Sequence, residues 1–330
     1  MTADRTEQSA SEAPMEWLSA SLAGPLADPA TDAGHPHPPE RVGFFTDTSV
    51  CIGCKACEVA CKEWNLVPPT RDEAPDLLGT SFDNTGELSA NSWRHVAFVE
   101  QRVPAGTGGR PAEAVDLGMP QPPPAERDRA PEAAPGADGG AAEGVRWLMS
   151  SDVCKHCTHA ACLDVCPTGA LFRTEYGTVV VQEDICNGCG YCIPACPYGV
   201  IGKREDDGRA FKCTLCYDRL GSGLEPACAT ACPTDSIQFG PLEELRERAN
   251  ARLERLHEAG TAEARLYGAD PGDGVGGAGA FFLLLDEPEV YGLPPDPVVT
   301  TRDLPDIWRH AALAAGVAAA AVAAAFLGRR

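Results

Sequence analysis

Sixteen cysteines in 330 residues fall into four tight groups, and this spacing constrains the chain more than any other feature. The first group, Cys51, Cys54, Cys57 and Cys61, and the third, Cys186, Cys189, Cys192 and Cys196, share the pattern C-x2-C-x2-C-x3-C. The second, Cys154, Cys157, Cys162 and Cys166, opens one gap to four residues, and the fourth, Cys213, Cys216, Cys228 and Cys232, widens the same gap to eleven. The last three groups end in Cys-Pro, at Pro167, Pro197 and Pro233. Abundant cysteine can mark a disulfide scaffold, but here every cysteine belongs to a compact metal-type group, so metal ligation is the stronger reading. Structural zinc usually takes two CxxC pairs about twelve or more residues apart, which is a different pattern.

Three cysteines at two-residue separations wrap one 4Fe-4S cubane in a tight loop, whereas the fourth points away and ligates the other cluster of a pair. Clusters therefore come in twos. Groups two and three are separated by Pro167 to Ile185, a length typical of one ferredoxin half leading to the other, and are expected to pair, leaving groups one and four to pair around them. The expected ligand sets are Cys51, Cys54, Cys57 and Cys232; Cys213, Cys216, Cys228 and Cys61; Cys154, Cys157, Cys162 and Cys196; and Cys186, Cys189, Cys192 and Cys166. The expected fold class is α+β, with two nested ferredoxin-like 4Fe-4S dicluster units, four clusters in all. With all four thiols present in each set, His156 and His159 are expected beside the second group or at the surface rather than as ligands. No iron is left an open coordination position, so the reading is a one-electron carrier with no catalytic residues of its own.

The remaining segments follow from composition. Acidic residues outnumber basic ones by 48 to 27, a formal charge of −21 that repels nucleic acid and anionic lipid and leaves a basic partner surface possible. Residues 1–40 read as a disordered leader without the basic start and apolar run of a secretory signal. Residues 41–100 hold the first motif and the start of an insertion. Its Pro/Gly-rich part, 101–144, cannot form a core and reads as a loop capping a hairpin, because Trp93 to Val99 and Val145 to Met149 are strand-like. Residues 145–240 form the cluster domain, short of regular structure because metal organises the folding. Within 241–306, Pro241 to Gly260 predicts an amphipathic helix, Ala280 to Leu285 a buried strand, and Tyr291 to Pro297 an extended tether. Residues 307–330 read as a single transmembrane helix. Its uncharged run Ala311 to Leu327 reaches only about 26 Å, slightly short of a hydrocarbon core of about 30 Å. Trp308 and Arg309 flank that run, and His310 reads as an interfacial residue.

Several stretches carry a more specific likeness. Thr48 to Asn65 reads TSVCIGCKACEVACKEWN, followed by LSANSW (88–93), NGCGYCIPACPYGV (187–200), FKCTLCYDRL (211–220), EPACATACPT (225–234) and YGLPPDP (291–297). With the terminal helix, these resemble the iron-sulfur (beta) subunits of membrane-bound respiratory formate dehydrogenases, within the four-cluster subunits of molybdopterin oxidoreductases. The resemblance implies a three-part machine. A catalytic alpha subunit with a molybdenum or tungsten bis-pterin cofactor oxidises formate, this type of subunit relays the electrons, and a cytochrome b gamma subunit passes them to quinone. It implies the same sixteen-cysteine assignment, export alongside a partner that carries the signal, and an extracytoplasmic cluster domain with Arg329 and Arg330 on the cytoplasmic side. The alternatives are the equivalent subunit of another molybdopterin oxidoreductase and a soluble polyferredoxin.

Overall fold

The computed structural model describes residues 28–69, 85–103 and 144–327. In chain order its elements are α1 (Pro29–Asp32), β1 (Val42–Asp47), α2 (Ala56–Trp64), β2 (Arg94–Val103), β3 (Gly144–Val153), α3 (Ala161–Asp164), β4 (Leu171–Arg173), β5 (Val179–Val181), α4 (Cys192–Ala195), β6 (Gly202–Lys203), β7 (Ala210–Phe211), α5 (Tyr217–Leu220), α6 (Ala227–Thr230), β8 (Ile237–Pro241), α7 (Leu242–Glu258), β9 (Arg265–Tyr267), β10 (Ala280–Leu284) and α8 (Leu304–Leu327).

A four-stranded sheet in the order β8-β1-β10-β9 frames one side of the molecule. β10, AFFLL, is buried along its whole length, as expected for an inner strand covered on both faces. It runs parallel to β1, with Phe44 opposite Ala280, while β8 runs antiparallel to β1, with Thr46 opposite Ile237. α7 covers one face by burying Leu242, Leu245 and Ala249 against Phe45, Phe281 and Leu283, and the Phe45 and Phe281 rings stack at 5.3 Å. The helix occupies the predicted 241–260 stretch. It stops where Gly260, at φ 94°, turns left-handed: Gly260 N donates to His257 O and Thr261 N to Leu256 O, closing the last turn.

The other face of the sheet looks onto a cysteine-rich body made of very short elements. β2 and β3 pair antiparallel over ten residues each, longer than the predicted strands; residues 104–143, where the loop was expected, lie outside the described residues. The two-residue and three-residue hairpins β6–β7 and β4–β5 complete the β content.

Three expectations need correction. Residues 28–40 are not part of a formless leader: Asp28 caps α1, Ala30 is buried, and His35 Nε2 meets Arg173 O at 3.1 Å. Residues 1–27 lie outside the described residues. The segment from Tyr291, expected as an extended tether, packs against the body, because Tyr291 and Leu293 are buried and the Tyr291 hydroxyl accepts a hydrogen bond from Leu285 N at 3.1 Å. The terminal helix starts earlier than its uncharged run, so its candidate span is Asp306–Leu327, 22 residues containing an 18-residue stretch of mean hydropathy 1.9. At 1.5 Å per residue the whole span is about 33 Å, enough to cross a hydrocarbon core. Its side chains, Leu313, Val317, Val322 and Phe326 among them, are exposed.

Candidate metal centres

Strand register decides which cysteines meet. β1 ends at Asp47 and leads through a 3-10 turn to Cys51; β8 begins just after Cys232. Antiparallel pairing of Thr46 with Ile237 puts both cysteines at one end of the sheet, held by Asp47 N donating to Ser236 O and Ser236 Oγ donating to Asp47 O, each at 2.8 Å. Cys51, Cys54, Cys57 and Cys232 line one cavity (site I), roofed by Val96 and Ser151 of the β2–β3 hairpin. The β4–β5 hairpin does the same elsewhere. Leu171 pairs with Val181 and Gln182 N donates to Ala170 O, which draws Cys166 and Cys186 together. Cys166, Cys186, Cys189 and Cys192 line a second cavity (site IV).

Short helices supply the rest. In α2, Cys61 lies one turn beyond Cys57, where it comes within charge-repulsion range of Cys213, Cys228 and Cys216 (site II). Cys154, Cys157, Cys162 and Cys196 line a third cavity with Val179 and Val299 (site III). Twelve of the sixteen cysteines thus line three cavities in groups of four, and the remaining four lie within charge-repulsion range of one another. Charge repulsion also links Cys228 to Cys57, Cys213 to Cys154, and Cys162 to Cys192, so the sites follow one another in the order I, II, III, IV. Cys54 of site I and Cys189 of site IV are exposed, whereas all four thiols of site II are buried.

One backbone device recurs in all four loops. The residue before the second cysteine is left-handed in each: Gly53 at φ 65°, His156 at 45°, Gly188 at 72° and Leu215 at 57°. Glycine adopts this freely; at Gly53 a Cβ would also meet the Phe98 ring at 2.6 Å. His156 and Leu215 hold it at a cost of about 1–2 kcal/mol, offset by packing that leaves both 1% exposed or less. His156 lies beneath the site III loop, where its Nδ1 accepts from Val179 N at 3.1 Å. Burial, then Lys212, Arg173, Arg41 and Arg94, hold its pKa well below the ordinary value. His159 is half-buried, packed by Gly276 at the rim of the same cavity.

The donor chemistry fits polynuclear iron. Sulfur is the donor type common to these sites, and the thiols surround cavities with mostly apolar walls. Burial pushes Cys162 and Cys213 up to about 12, and Cys192 and Cys228 up to about 11. Such thiols ionise only when a cation arrives, so metal loading and proton release are coupled.

Groups around the sulfurs were not legible as site residues. Asn65 Nδ2 lies 3.7 Å from both Cys61 Sγ and Cys216 Sγ, which gives the CKEWN ending of the first motif a place in site II. The preceding Trp64 donates its Nε1 to Asp218 Oδ2 at 2.8 Å and stacks on Arg219, fastening α2 to α5. At site I, Ser151 Oγ lies 3.2 Å from Cys57 Sγ. Ala210 N donates to Cys186 Sγ at 3.5 Å in site IV, and Leu215 N to Cys213 Sγ at 3.3 Å in site II. Hydrogen bonds of this kind tune cluster potentials.

Known proteins carry the same features. A family model described as a 4Fe-4S dicluster domain matches residues 145–242, and one described as a 4Fe-4S binding domain matches 48–64. The sequence is 37% identical over 275 residues to the nitrate-inducible formate dehydrogenase iron-sulfur subunit of Escherichia coli (strain K12), spanning 82% of this chain and 78% of that protein. It is 37% identical to the formate dehydrogenase iron-sulfur subunit of Haemophilus influenzae, over 78% of this chain and 70% of that one. The B polypeptide of the anaerobic dimethyl sulfoxide reductase of Escherichia coli (strain K12) is 34% identical, over 66% of this chain and 84% of its own length.

Proposed function

The protein belongs to the family of formate dehydrogenase iron-sulfur subunits, non-catalytic electron-transfer subunits of an oxidoreductase complex, and from that premise we propose a specific route for its electrons. Sites I to IV each hold one 4Fe-4S cluster on the four cysteines that line them, and the clusters form two cross-liganded, ferredoxin-like pairs, I with II and III with IV. When bound, each cluster takes up and gives back one electron at a time. The observation that carries this reading is the grouping of all sixteen thiols around four sites in a row. Such a row, with an exposed cysteine at each end and none exposed inside, admits electrons at one end and releases them at the other.

The direction along the row has a structural cue. The segment leading into α8 passes the far pair of sites: Val299 lines site III, and Thr301 Oγ1 donates to Asp164 Oδ2, two residues before Cys166, at 2.5 Å. With α8 as the membrane anchor, sites III and IV lie nearer the bilayer. Site I then receives electrons from a molybdopterin subunit that oxidises formate, and site IV passes them to a membrane cytochrome b and quinone. The formate branch is favoured over the dimethyl sulfoxide branch because its likeness extends over more of the chain, 82% against 66%.

Membranes holding the assembled complex test this. Formate should reduce the four centres and quinone should reoxidise them, and deleting residues 304–330 should break the link to quinone while the iron remains. Centres that respond to dimethyl sulfoxide but not to formate would assign the protein to the other branch.

A further inference from the structure

Between sites I and II lies a buried positive charge that needs explaining. Arg94, the first residue of β2, is 1% exposed, with its guanidinium 4.9 Å from the Phe44 ring centre. Nη1 donates to Ser151 Oγ at 3.0 Å and Ser151 O at 3.4 Å, whereas Nε and Nη2 are buried without a hydrogen-bond partner among the described residues. The buried lysines nearby differ: Lys155 reaches Asp152 and Val153 O, and Lys212 reaches the carbonyls of Val179 and Cys213. An arginine serving only to brace the hairpin would find acceptors for its Nε and Nη2 as well. A guanidinium out of water without a counter-charge is costly, so the compensation must come from what faces it. Burial lowers the pKa of Arg94, but Cys228, Cys57, Cys213 and Cys61 outweigh it and hold the value above the ordinary range. Three of those thiols belong to site II and one to site I.

Ser151 extends this contact. Because its Oγ accepts from Arg94, its own hydroxyl proton is left to point at Cys57 Sγ, 3.2 Å away. Resting on the four-cluster reading above, we propose that Arg94 is a positioning residue shared by the first two centres: it orients Ser151 as a donor to the Cys57 sulfur and places fixed positive charge between sites I and II, making both centres easier to reduce. A reduced cluster carries one more negative charge, so a cation and an O–H···S bond both favour it. Ser151 acts on site I alone, and the charge acts on both.

The test is redox titration of the full-length holoprotein followed by low-temperature EPR, with signals assigned by their loss in Cys54→Ser and Cys216→Ser variants. At the potential where each unaltered centre is half reduced, Arg94→Gln should lower the reduced-to-oxidised ratio at least tenfold at sites I and II, about 59 mV for one electron. Ser151→Ala should lower the ratio at site I and leave site II unmoved, and Arg94→Lys, which keeps the charge, should retain the site II ratio within about twofold. Iron-replete Arg94→Gln protein with both ratios unchanged overturns the proposal, as does Ser151→Ala protein without a site I shift. Should Arg94→Gln lose iron, the Arg94→Lys and Ser151→Ala ratios decide by themselves. Absence of cubane signals from the unaltered protein would instead refute the four-cluster reading.

Discussion

Sites I and II differ from sites III and IV in how far along the chain their ligands are gathered. The latter pair is local: its cysteines lie between Cys154 and Cys196, and a three-residue hairpin suffices to cross Cys166 over to Cys186. The former pair takes ligands from Cys51 to Cys232 and depends on long-range pairing of β1 with β8 and β10, with a roof from the β2–β3 hairpin. On the proposed assignment cross-ligation is common to both pairs, but in one a turn enforces it and in the other a sheet does. The sheet-dependent pair should be the more sensitive to damage in the apolar core, because loop closure over a long chain is compensated only when the sheet is intact.

The largest effect should come from cutting the cross-ligands. Cys61→Ser is expected to remove or disable the centre of site II while site I, built from the rest of its own motif, survives; Cys166→Ser should do the same to site IV and leave site III. EPR of either variant with loss confined to the mutated motif's own three-cysteine loop would break the parallel between the pairs. Next in size is Phe281→Ala. Phe281 is fully buried against Phe45 under α7, and its truncation should cost about 3–5 kcal/mol. Under a chelator, iron should then leave sites I and II before III and IV. Equal loss from both pairs would remove the contrast. The smallest effect is Asn65→Ala, which deletes two N–H···S contacts on the order of 1 kcal/mol. It should lower the potential of site II alone, as read by the same titration.

What could be read from the sequence follows the same division. The cysteine groups and α7 were legible because each rests on a local spacing, mostly of two or three residues for the thiols and of the helical repeat for Leu242, Leu245 and Ala249. The β1–β10 pairing was not, since parallel strands so far apart carry no mutual signature in composition. Arg94 lay in a strand-like stretch and Ser151 had no assigned role until the register set Arg94 opposite Val153, which joins Arg94 to Ser151 and Ser151 to the Cys57 sulfur. The terminal helix read short because Asp306 and Arg309 interrupt its first turns, while α-helical hydrogen bonding continues through them.

Metal and sulfide analysis of anaerobically purified, full-length protein tests the four-cluster claim most directly. The account predicts about sixteen irons with an equal amount of acid-labile sulfide per chain, and no zinc. About four zinc ions without sulfide, or iron for only two centres, would contradict it.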